Sequence, residues 1–301
     1  MNKNHRLEMN RFYKRYLITG GLGFIGTNFI YELLKNKDSL VFNLDNMSTG
    51  CNLSNGNEFK KYQNYKFFSK SICSKGILDI LKENRIDCIV HFAAESHVDR
   101  SIEDPSNFID TNINGTYNLL EQSLQYMEIN NDFHFHHIST DEVYGSLTLQ
   151  DEPFSESSQF RPNSPYSASK ASSDHLVRAW NQTYGLNTTI SNCSNNYGPY
   201  QNYEKFIPHV LKQALSGKPI TIYGDGKNIR DWLYVSDHCS AILKILSEGS
   251  FGQTYNIGGN NQISNIEIVN IVCKILEELA LRNKKFNNQN FTDLIEYIED
   301  R

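Results

Sequence analysis

Two short clusters in the sequence carry side chains that can move protons. The first is Tyr166-Ser-Ala-Ser-Lys170, where a phenol and an ammonium stand four residues apart. On a helix such residues share a face, so both can point at one ligand. A nearby ammonium stabilises a phenolate and lowers the pKa of the phenol, which makes Tyr166 a candidate base for a hydroxyl proton. The alternative is a chance spacing on an ordinary helix.

The second cluster is Thr140-Asp141-Glu142, directly after the run FHFHHIS at 133–139. Two adjacent carboxylates that leave a buried strand are unusual, because most such pairs lie in surface loops. If Thr140 and its neighbours face a ligand, Asp141 and Glu142 can supply an acid and a base. The alternative is a solvated turn whose side chains cap a helix.

A glycine-rich loop precedes both clusters and is typical of a phosphate-binding turn. It reads Thr19-Gly-Gly-Leu-Gly-Phe-Ile-Gly26 and lies between a strand pattern and a helix pattern. Gly21 and Gly23 permit a tight turn close to a pyrophosphate, and Gly26 lets the helix pack on the strand. The helix N-terminus then offers backbone amides to the anion. A structural glycine turn is the alternative.

An acid follows at the position where dinucleotide folds bind ribose. Asp45 ends the second strand, 19 residues past Gly26. A carboxylate there accepts hydrogen bonds from the ribose hydroxyls and repels a 2′-phosphate, which favours NAD over NADP. Ala93 and Ala94 end a further apolar run, and their small side chains allow a cofactor to lie against the backbone. Glu95, His97 and Asp99, which follow, are interpreted as loop hydrogen-bonders without a chemical role.

These residues must be positioned by alternating strands and helices. The pattern predicts strands at 15–19, 39–45, 65–69, 86–93, 133–139 and 188–193, and helices at about 24–36, 74–84, 105–128 and 164–184. Such alternation predicts an α/β fold, a Rossmann-type doubly wound parallel sheet. After residue 195 turn signals crowd together, which predicts a smaller, loop-rich C-terminal substrate lobe.

The expected domain organisation follows from this change in sequence pattern after residue 195. We expect an N-terminal extension at 1–13, an NAD-binding Rossmann domain at 14–194 and a substrate-binding lobe at 195–301. Part of 228–258 is expected to return to the Rossmann domain.

Composition narrows the classes of partner. The net charge of −5 and the pI near 6.0 argue against sequence-independent binding to nucleic acid, which needs a basic face. The longest apolar runs, such as 88–94, are far shorter than the ~20 residues of a membrane span. The six cysteines form no CxxC pair and indicate reduced core thiols in a cytoplasmic protein. His134, His136 and His137 alternate with phenylalanines as on a strand, so no metal site is predicted.

Taken together, the motifs resemble the extended short-chain dehydrogenase/reductase family. The resemblance rests on TGGLGFIG, FAAESHVDRSI, HISTDEVYG, SPYSASKASSDHLVRAW, NCSNNYGPY and IRDWLYVSDH, and it covers the chain from about residue 14 to the end. Within the family the motifs are most similar to enzymes that dehydrate dTDP-glucose at carbons 4 and 6. The resemblance implies that Tyr166, helped by Lys170 and Thr140, takes the 4-hydroxyl proton. Glu142 would take the C5 proton and Asp141 would protonate the departing 6-hydroxyl.

The resemblance also implies binding residues and a homodimer. The implied NAD contacts are Gly20, Gly23, Phe24, Ile25, Gly26, Asp45, Ile72, Ala93, Ala94, Tyr166 and Lys170. The implied nucleotide-sugar contacts are Asn196, Glu204, Lys205, Phe206, Ile207, Pro208, Tyr223, Arg230, Asn265 and Arg301. For Arg230, a surface ion pair with Asp231 is the alternative to a bidentate phosphate contact. The homodimer is expected to form through the helices at 105–128 and 164–184.

Two departures from the family pattern bear on function. Ser71-Ile72 stands where the family usually carries an Asp-Ile pair on the adenine. The family usually continues beyond the equivalent of Arg301 with residues that close the substrate lobe, so we expect a shortened lobe. Two alternatives to the dehydratase therefore stay open: another NAD-dependent modifier of nucleotide sugars, such as a decarboxylase, an epimerase or a dehydratase of a different nucleotide sugar, and an inactive NAD-binding paralogue.

Overall fold

A seven-stranded parallel sheet contains the first six strands of the chain together with a strand at Thr254–Ile257. In the computed structural model, residues 10–48, 50–148, 150–282 and 290–299 are described. The strands are β1 Arg15–Thr19, β2 Leu40–Asp45, β3 Tyr65–Ser69, β4 Cys88–His91, β5 His134–Thr140, β6 Thr188–Cys193, β7 Asn195–Tyr197, β8 Ile220–Tyr223, β9 Ile229–Tyr234, β10 Thr254–Ile257, β11 Gln262–Ser264 and β12 Ile295–Ile298. The sheet order is β10-β6-β5-β4-β1-β2-β3, and every neighbouring pair is parallel. This confirms the predicted Rossmann-type fold.

Helices connect the strands. They are α1 Phe24–Leu34, α2 Leu53–Phe59, α3 Ile77–Asn84, α4 Val98–Glu103, α5 Ser106–Phe108, α6 Thr116–Met127, α7 Pro165–Tyr184, α8 Phe206–Leu215, α9 Val235–Glu248 and α10 Asn265–Arg282. The predicted elements agree with these bounds to within three residues at each end. No helix within the described ranges combines the length and apolar composition needed to cross a membrane.

The predicted helix at 105–128 is not regular, because a π-helical segment, Ile109–Gly115, joins α5 to α6. Two buried contacts explain the wider turn. Asn112 points inward, where its amide accepts from the backbone N–H of Glu95 and donates to the carbonyl of Glu95. A Cβ on Gly115 would lie 2.5 Å from the side chain of Ile72. Such π segments are rare and often lie at functional sites.

Apolar packing holds the sheet to its helices. One core cluster joins Leu17, Ile89 and Phe135 of the sheet to residues of α3, α6 and α7, such as Leu119 and Val177. Side chains alternate along a strand, so Ile18, also fully buried, points to the opposite face of the sheet. Burial on both faces is what the continuously apolar strands predict.

The chain divides into two compact units. The first comprises Met1–Cys193 and Val235–Ile257, and the second comprises Ser194–Tyr234 and Gly258–Arg301. The second unit contains the three-stranded sheet β11-β9-β7 and the parallel pair β12-β8. Its own core is built from α8, β8, α10 and Phe291.

Candidate active site

The glycine-rich loop between β1 and α1 is shaped by contacts that only glycine allows. Gly20 has a φ of +70°, and a Cβ there would lie 2.6 Å from the Cα of Ala93. A Cβ on Gly26 would lie 2.5 Å from the carbonyl oxygen of Gly20. Gly23 occupies the N-cap of α1, and Phe24 and Ile25 form the half-buried first turn of the helix. The amides of that turn suit an anion such as a pyrophosphate.

Buried polar side chains also hold the glycine-rich loop in place. They were not predicted from the sequence. Asn43 on β2 accepts a hydrogen bond from the backbone N–H of Gly21 at 3.2 Å. The hydroxyl of Thr27 donates to the carbonyl of Gly21 at 3.2 Å and accepts from the amide of Asn55 at 3.1 Å. These buried hydrogen bonds hold the backbone of Gly21 in its turn. Nothing in their spacing distinguishes such residues from ordinary core polar groups.

Asp45 lies at the end of β2, as predicted, and its carboxylate reaches back to the loop. One oxygen accepts from the N–H of Leu22 at 3.0 Å and the other accepts from the N–H of Met47 at 2.8 Å. Burial raises the pKa of Asp45, and these two hydrogen bonds oppose the rise. Each carboxylate oxygen keeps a further lone pair, so ribose hydroxyls can be accepted as well. The loop and this acid therefore fit NAD.

The remaining predicted cofactor residues lie along the same edge of the sheet. Ala93 and Ala94 follow β4, and the N–H of Ala93 donates to the hydroxyl of Thr19 at 3.3 Å. Ile72 is buried beside Gly115. Ser71, the departure from the family pattern, accepts from the backbone N–H of Cys73 at 3.1 Å and so closes the turn after β3. The Ser71 hydroxyl is thereby engaged with the backbone of the turn in which it lies.

Helix α7 carries Tyr166 and Lys170 on its buried face. The helix begins at a capping box. The Ser164 hydroxyl accepts a hydrogen bond from the backbone N–H of Ser167, and the Ser167 hydroxyl accepts one from the backbone N–H of Ser164. Pro165 occupies the first turn, where its missing N–H costs nothing. This cap fixes the direction in which Tyr166, in the first turn, leaves the helix.

The acidic pair forms a short turn beside Tyr166. A 3₁₀ turn, Asp141–Tyr144, follows β5, and Thr140 caps it by accepting from the N–H of Glu142 at 3.3 Å. The hydroxyl of Thr140 also lies 3.4 Å from a carboxylate oxygen of Asp141. Glu142 and Asp141 both act electrostatically on the phenol of Tyr166. The fold thus brings the two sequence clusters together.

The pKa of Tyr166 differs from the expectation. Burial raises it well above its ordinary value, the charges of Glu142 and Cys193 raise it further, and a hydrogen bond from Thr140 lowers it. The expected net lowering of this pKa is therefore not met in the described structure. The Lys170 ammonium instead donates to the carbonyl of Ile138 at 2.8 Å and lies 3.3 Å from the His137 imidazole.

The predicted nucleotide-sugar residues all belong to the second unit. Asn196 on β7 donates to the carbonyl of Ser194 at 3.0 Å. Lys205 caps α8, and Phe206, Ile207 and Pro208 form its half-buried first turn after the exposed Glu204. Tyr223 ends β8, and Asn265 begins α10. Arg301 lies outside the described residues.

Arg230 lies exposed on β9, opposite Ile263 of β11. The neighbouring Asp231 accepts from the backbone N–H groups of Gly259 and Asn261, both at 2.6 Å. Those contacts commit the Asp231 carboxylate to the turn before β11. They therefore weaken the alternative that Arg230 serves as its ion-pair partner, and adjacent strand residues point to opposite faces.

Two of the three histidines of β5 form hydrogen bonds with the neighbouring strand β6. His134 and His136 both contact the hydroxyl of Thr189, at 2.8 and 2.7 Å. His136 also contacts the hydroxyl of Ser191 at 3.2 Å. Over the described part of the chain, no group of three or more His, Cys, Asp or Glu side chains is placed to hold a metal ion.

The loop, the ribose acid and the Tyr166–Lys170 helix define a dinucleotide-dependent enzyme of the short-chain dehydrogenase/reductase class. A family model described as GDP-mannose 4,6 dehydratase matches residues 17–297, and the chain belongs to that family.

Relatives and solved structures agree with this assignment. A dTDP-glucose 4,6-dehydratase of Neisseria meningitidis is 49% identical over 294 residues, which are 96% of this chain and 82% of the relative. The crystal structure of a dTDP-glucose 4,6-dehydratase of Bacillus anthracis, in complex with NAD, is similar with a TM-score of 0.83 and 40% identity. It covers 96% of this chain and 85% of that chain. The DesIV dTDP-glucose 4,6-dehydratase of Streptomyces venezuelae, with NAD bound, has a TM-score of 0.84 and 38% identity, covering 95% and 85%.

Proposed function

We propose that this chain uses NAD to dehydrate dTDP-glucose at carbons 4 and 6, giving dTDP-4-keto-6-deoxyglucose. The observation that carries the proposal is the adjacent pair Asp141 and Glu142 on the turn beside Tyr166. Elimination of water needs a base at C5 and an acid at O6, and a simple oxidation or epimerisation needs neither. The dehydratases from Neisseria meningitidis and Bacillus anthracis support the same reaction.

In the proposed mechanism each side chain moves one proton. Tyr166 takes the proton of the 4-hydroxyl group, and Thr140 holds the phenol by a hydrogen bond. Bound NAD supplies the hydride chemistry, by accepting hydride from C4 and returning it to C6. The 4-keto group acidifies the C5 proton, which Glu142 takes while Asp141 protonates the departing 6-hydroxyl. The 6-hydroxyl group therefore leaves as water with the proton from Asp141, and the C5 proton held on Glu142 returns to C5 when the hydride reaches C6.

The electrostatics of the site link these roles. The charges of Glu142 and Asp141 both raise the pKa of Tyr166 and so oppose its action as a base. Asp141 must carry a proton before it can act as the acid. In that neutral form it also removes one of the charges that disfavour the phenolate. The same protonation state thus serves both steps.

The nucleotide-sugar side is proposed for the second unit. Asn196 and Arg230 lie on neighbouring strands of its three-stranded sheet, and Arg230 is exposed. A guanidinium suits a phosphate because it can donate two parallel hydrogen bonds. We assign Lys205, Tyr223 and Asn265 to the same substrate, together with the first turn of α8.

We propose that the chain acts as a homodimer in a reducing compartment, consistent with the cytoplasm. Three large side chains on the π segment and on the two helices α6 and α7 stay exposed, namely Ile109 at 44%, Tyr117 at 48% and Tyr184 at 53%. Such side chains suit a helical interface between copies. All six cysteines are free thiols. Light scattering on the purified chain measures the mass that decides the oligomeric state.

The direct test is product formation from dTDP-glucose and NAD, followed by the absorbance that a 4-keto-6-deoxy sugar develops in alkali. We expect product from the wild type and a loss of about 100-fold or more in Glu142→Gln, since a positioned base contributes at least that much. Glu152→Gln is the matched control, because Glu152 is an exposed carboxylate on the following loop.

Binding of NAD, measured separately by calorimetry, should be the same in all three proteins. A wild type that binds NAD and forms no product overturns the proposal and favours the inactive paralogue. A Glu142→Gln variant that keeps its rate shows instead that the C5 base is another residue.

A further inference from the structure

The face of α7 that carries Tyr166 and Lys170 continues to a third ionisable residue, Asp174. It stands four residues after Lys170, so the three side chains follow one another at single-turn spacing. Lys170 is 3% exposed and Asp174 is 2% exposed. Two opposite charges are therefore buried one turn apart, behind the phenol of the proposed site.

The imidazole of His137 lies between the two charges. Its Nε2 is 3.3 Å from the ammonium of Lys170 and 3.3 Å from Oδ1 of Asp174. The Asp174 contact is close but is not a hydrogen bond. In the described structure the Nδ1 atom of His137 has no hydrogen-bond partner. Since a neutral Nε2 cannot both accept from the ammonium and donate to the carboxylate, the ring contacts both charges without joining them by a hydrogen bond.

The second oxygen of Asp174 is held by the ends of two strands. It accepts from the hydroxyl of Ser139 at 2.8 Å and from the amide of Asn192 at 3.0 Å. The same amide donates to the carbonyl of Thr140 at 3.1 Å. These donors stabilise the charged form of a buried carboxylate, which would otherwise be costly.

A buried ammonium needs a counter-charge to stay protonated. Burial lowers the pKa of Lys170, while the Asp174 carboxylate and Cys193 raise it. The other titratable groups that act on Lys170 are His137 on β5 and His91 on β4, and burial keeps both of them neutral by lowering their pKa. Burial raises the pKa of Asp174, and Lys170 lowers it. Asp174 is thus the charge that best explains an ammonium at this depth.

We propose that Asp174, with His137, is a positioning residue that keeps Lys170 protonated and held at the end of β5. The inference rests on the proposed function, because Lys170 belongs to that site. Asp174 acts on Lys170, where its charge has the largest effect of any neighbouring charge, whereas Glu142, Cys193 and Asp141 are the charges that raise the pKa of Tyr166. A merely structural carboxylate would brace β5 and β6 without setting the charge of Lys170.

The test is a pH titration of the lysine side chains by carbon NMR on the purified full chain, with the Lys170 ε-carbon signal assigned through Lys170→Met. In Asp174→Asn, which keeps the shape of the side chain, the Lys170 midpoint should fall by about 1–3 pH units, the effect of one close opposite charge. Ser139→Ala is the matched control, because it removes a hydrogen bond from Asp174 but no charge. Its Lys170 midpoint should stay within a few tenths of a unit of the wild type, roughly the size of a lost neutral contact.

The wild type alone provides a second measurement, which is needed if Asp174→Asn does not fold. The Lys170 signal should then show two steps, its own and a smaller one when Asp174 titrates above the ordinary aspartate range. A single step, or an unchanged Lys170 midpoint in a folded Asp174→Asn, overturns the proposal. These readouts need no turnover, so they stand apart from failure of the dehydratase assay. If the enzyme is active, the alkaline limb of its kcat profile should move to lower pH in Asp174→Asn by the same amount.

Discussion

At the scale of single residues, the site combines charges whose effects oppose one another. Burial and the acidic pair raise the pKa of Tyr166, while Thr140 lowers it through a hydrogen bond. The sequence indicated which residues could react, because Tyr-x-x-x-Lys and Thr-Asp-Glu both follow a dinucleotide-binding loop in the same chain. It did not indicate the state of each group, because burial and hydrogen-bond partners come from strands that are distant along the chain.

Asp45 supports a prediction at this scale. Its carboxylate accepts two backbone hydrogen bonds and has lone pairs left for ribose. Asp45→Asn should weaken NAD binding about 10- to 100-fold, because hydrogen bonds to a charged group contribute about 1.5–3 kcal/mol. Calorimetric titration with NAD and with NADP measures the effect, and the ratio of the NAD affinity to the NADP affinity should fall. Asp38→Asn, an exposed carboxylate before β2, is the control. Equal NAD affinity in wild type and Asp45→Asn would remove Asp45 from the cofactor site.

At the scale of elements, two structural features direct the reacting side chains. The parallel strands β4, β5 and β6 end at one edge of the sheet, so the alanines after β4 and the acidic turn after β5 share that edge. The π segment before α6 brings Asn112 against both the loop after β4 and the hydroxyl of Ser169 on α7. The first feature follows from the alternation of strands and helices. The second depends on buried contacts.

The capping box of α7 gives a prediction for this scale. Ser164→Ala removes the hydrogen bond to the N–H of Ser167 and should lower the free energy of unfolding by about 1 kcal/mol. Ser172→Ala serves as the comparison, because Ser172 bonds only to the carbonyl of Ala168 inside the same helix and alanine has the higher helix propensity. Urea unfolding followed by circular dichroism measures both. The cap would be unimportant for stability if Ser164→Ala unfolded at the same urea concentration as Ser172→Ala or at a higher one.

At the scale of the whole molecule, the first unit buries histidines that burial keeps neutral. It lowers the pKa of His136 and of His238 to about 3, and it places those of His91, His134 and His137 well below the ordinary value. In the unfolded chain these side chains titrate near 6.5. Below that pH the unfolded state binds more protons than the folded state. Stability is therefore fully present above pH 6.5 and is lost as the pH falls.

The resulting prediction concerns acid stability. Between pH 6.5 and about 3, each of these histidines should lower the free energy of unfolding by about 1.4 kcal/mol per pH unit. Replacing His238, which is fully buried in α9, by Asn should remove one such contribution from the slope. Urea unfolding of both proteins at pH 7 and pH 5 measures the slopes. A slope in His238→Asn as steep as in the wild type would show that His238 does not titrate as proposed.

The sequence by itself determined the sheet, the loop and the chemical groups of this protein. Their signals are local: glycines at fixed spacing, apolar strands, and an acid one strand later. The tertiary structure determines the contacts between residues that are distant along the chain, which those local signals do not contain. The acidic turn lies beside Tyr166 because β5 ends next to the first turn of α7. Lys170 donates to the carbonyl of Ile138 and lies beside His137, with the Asp174 carboxylate acting on it as a counter-charge, because burial forces an ammonium to find acceptors and an opposite charge. Such contacts join residues that no local pattern connects, so only the tertiary structure could specify them.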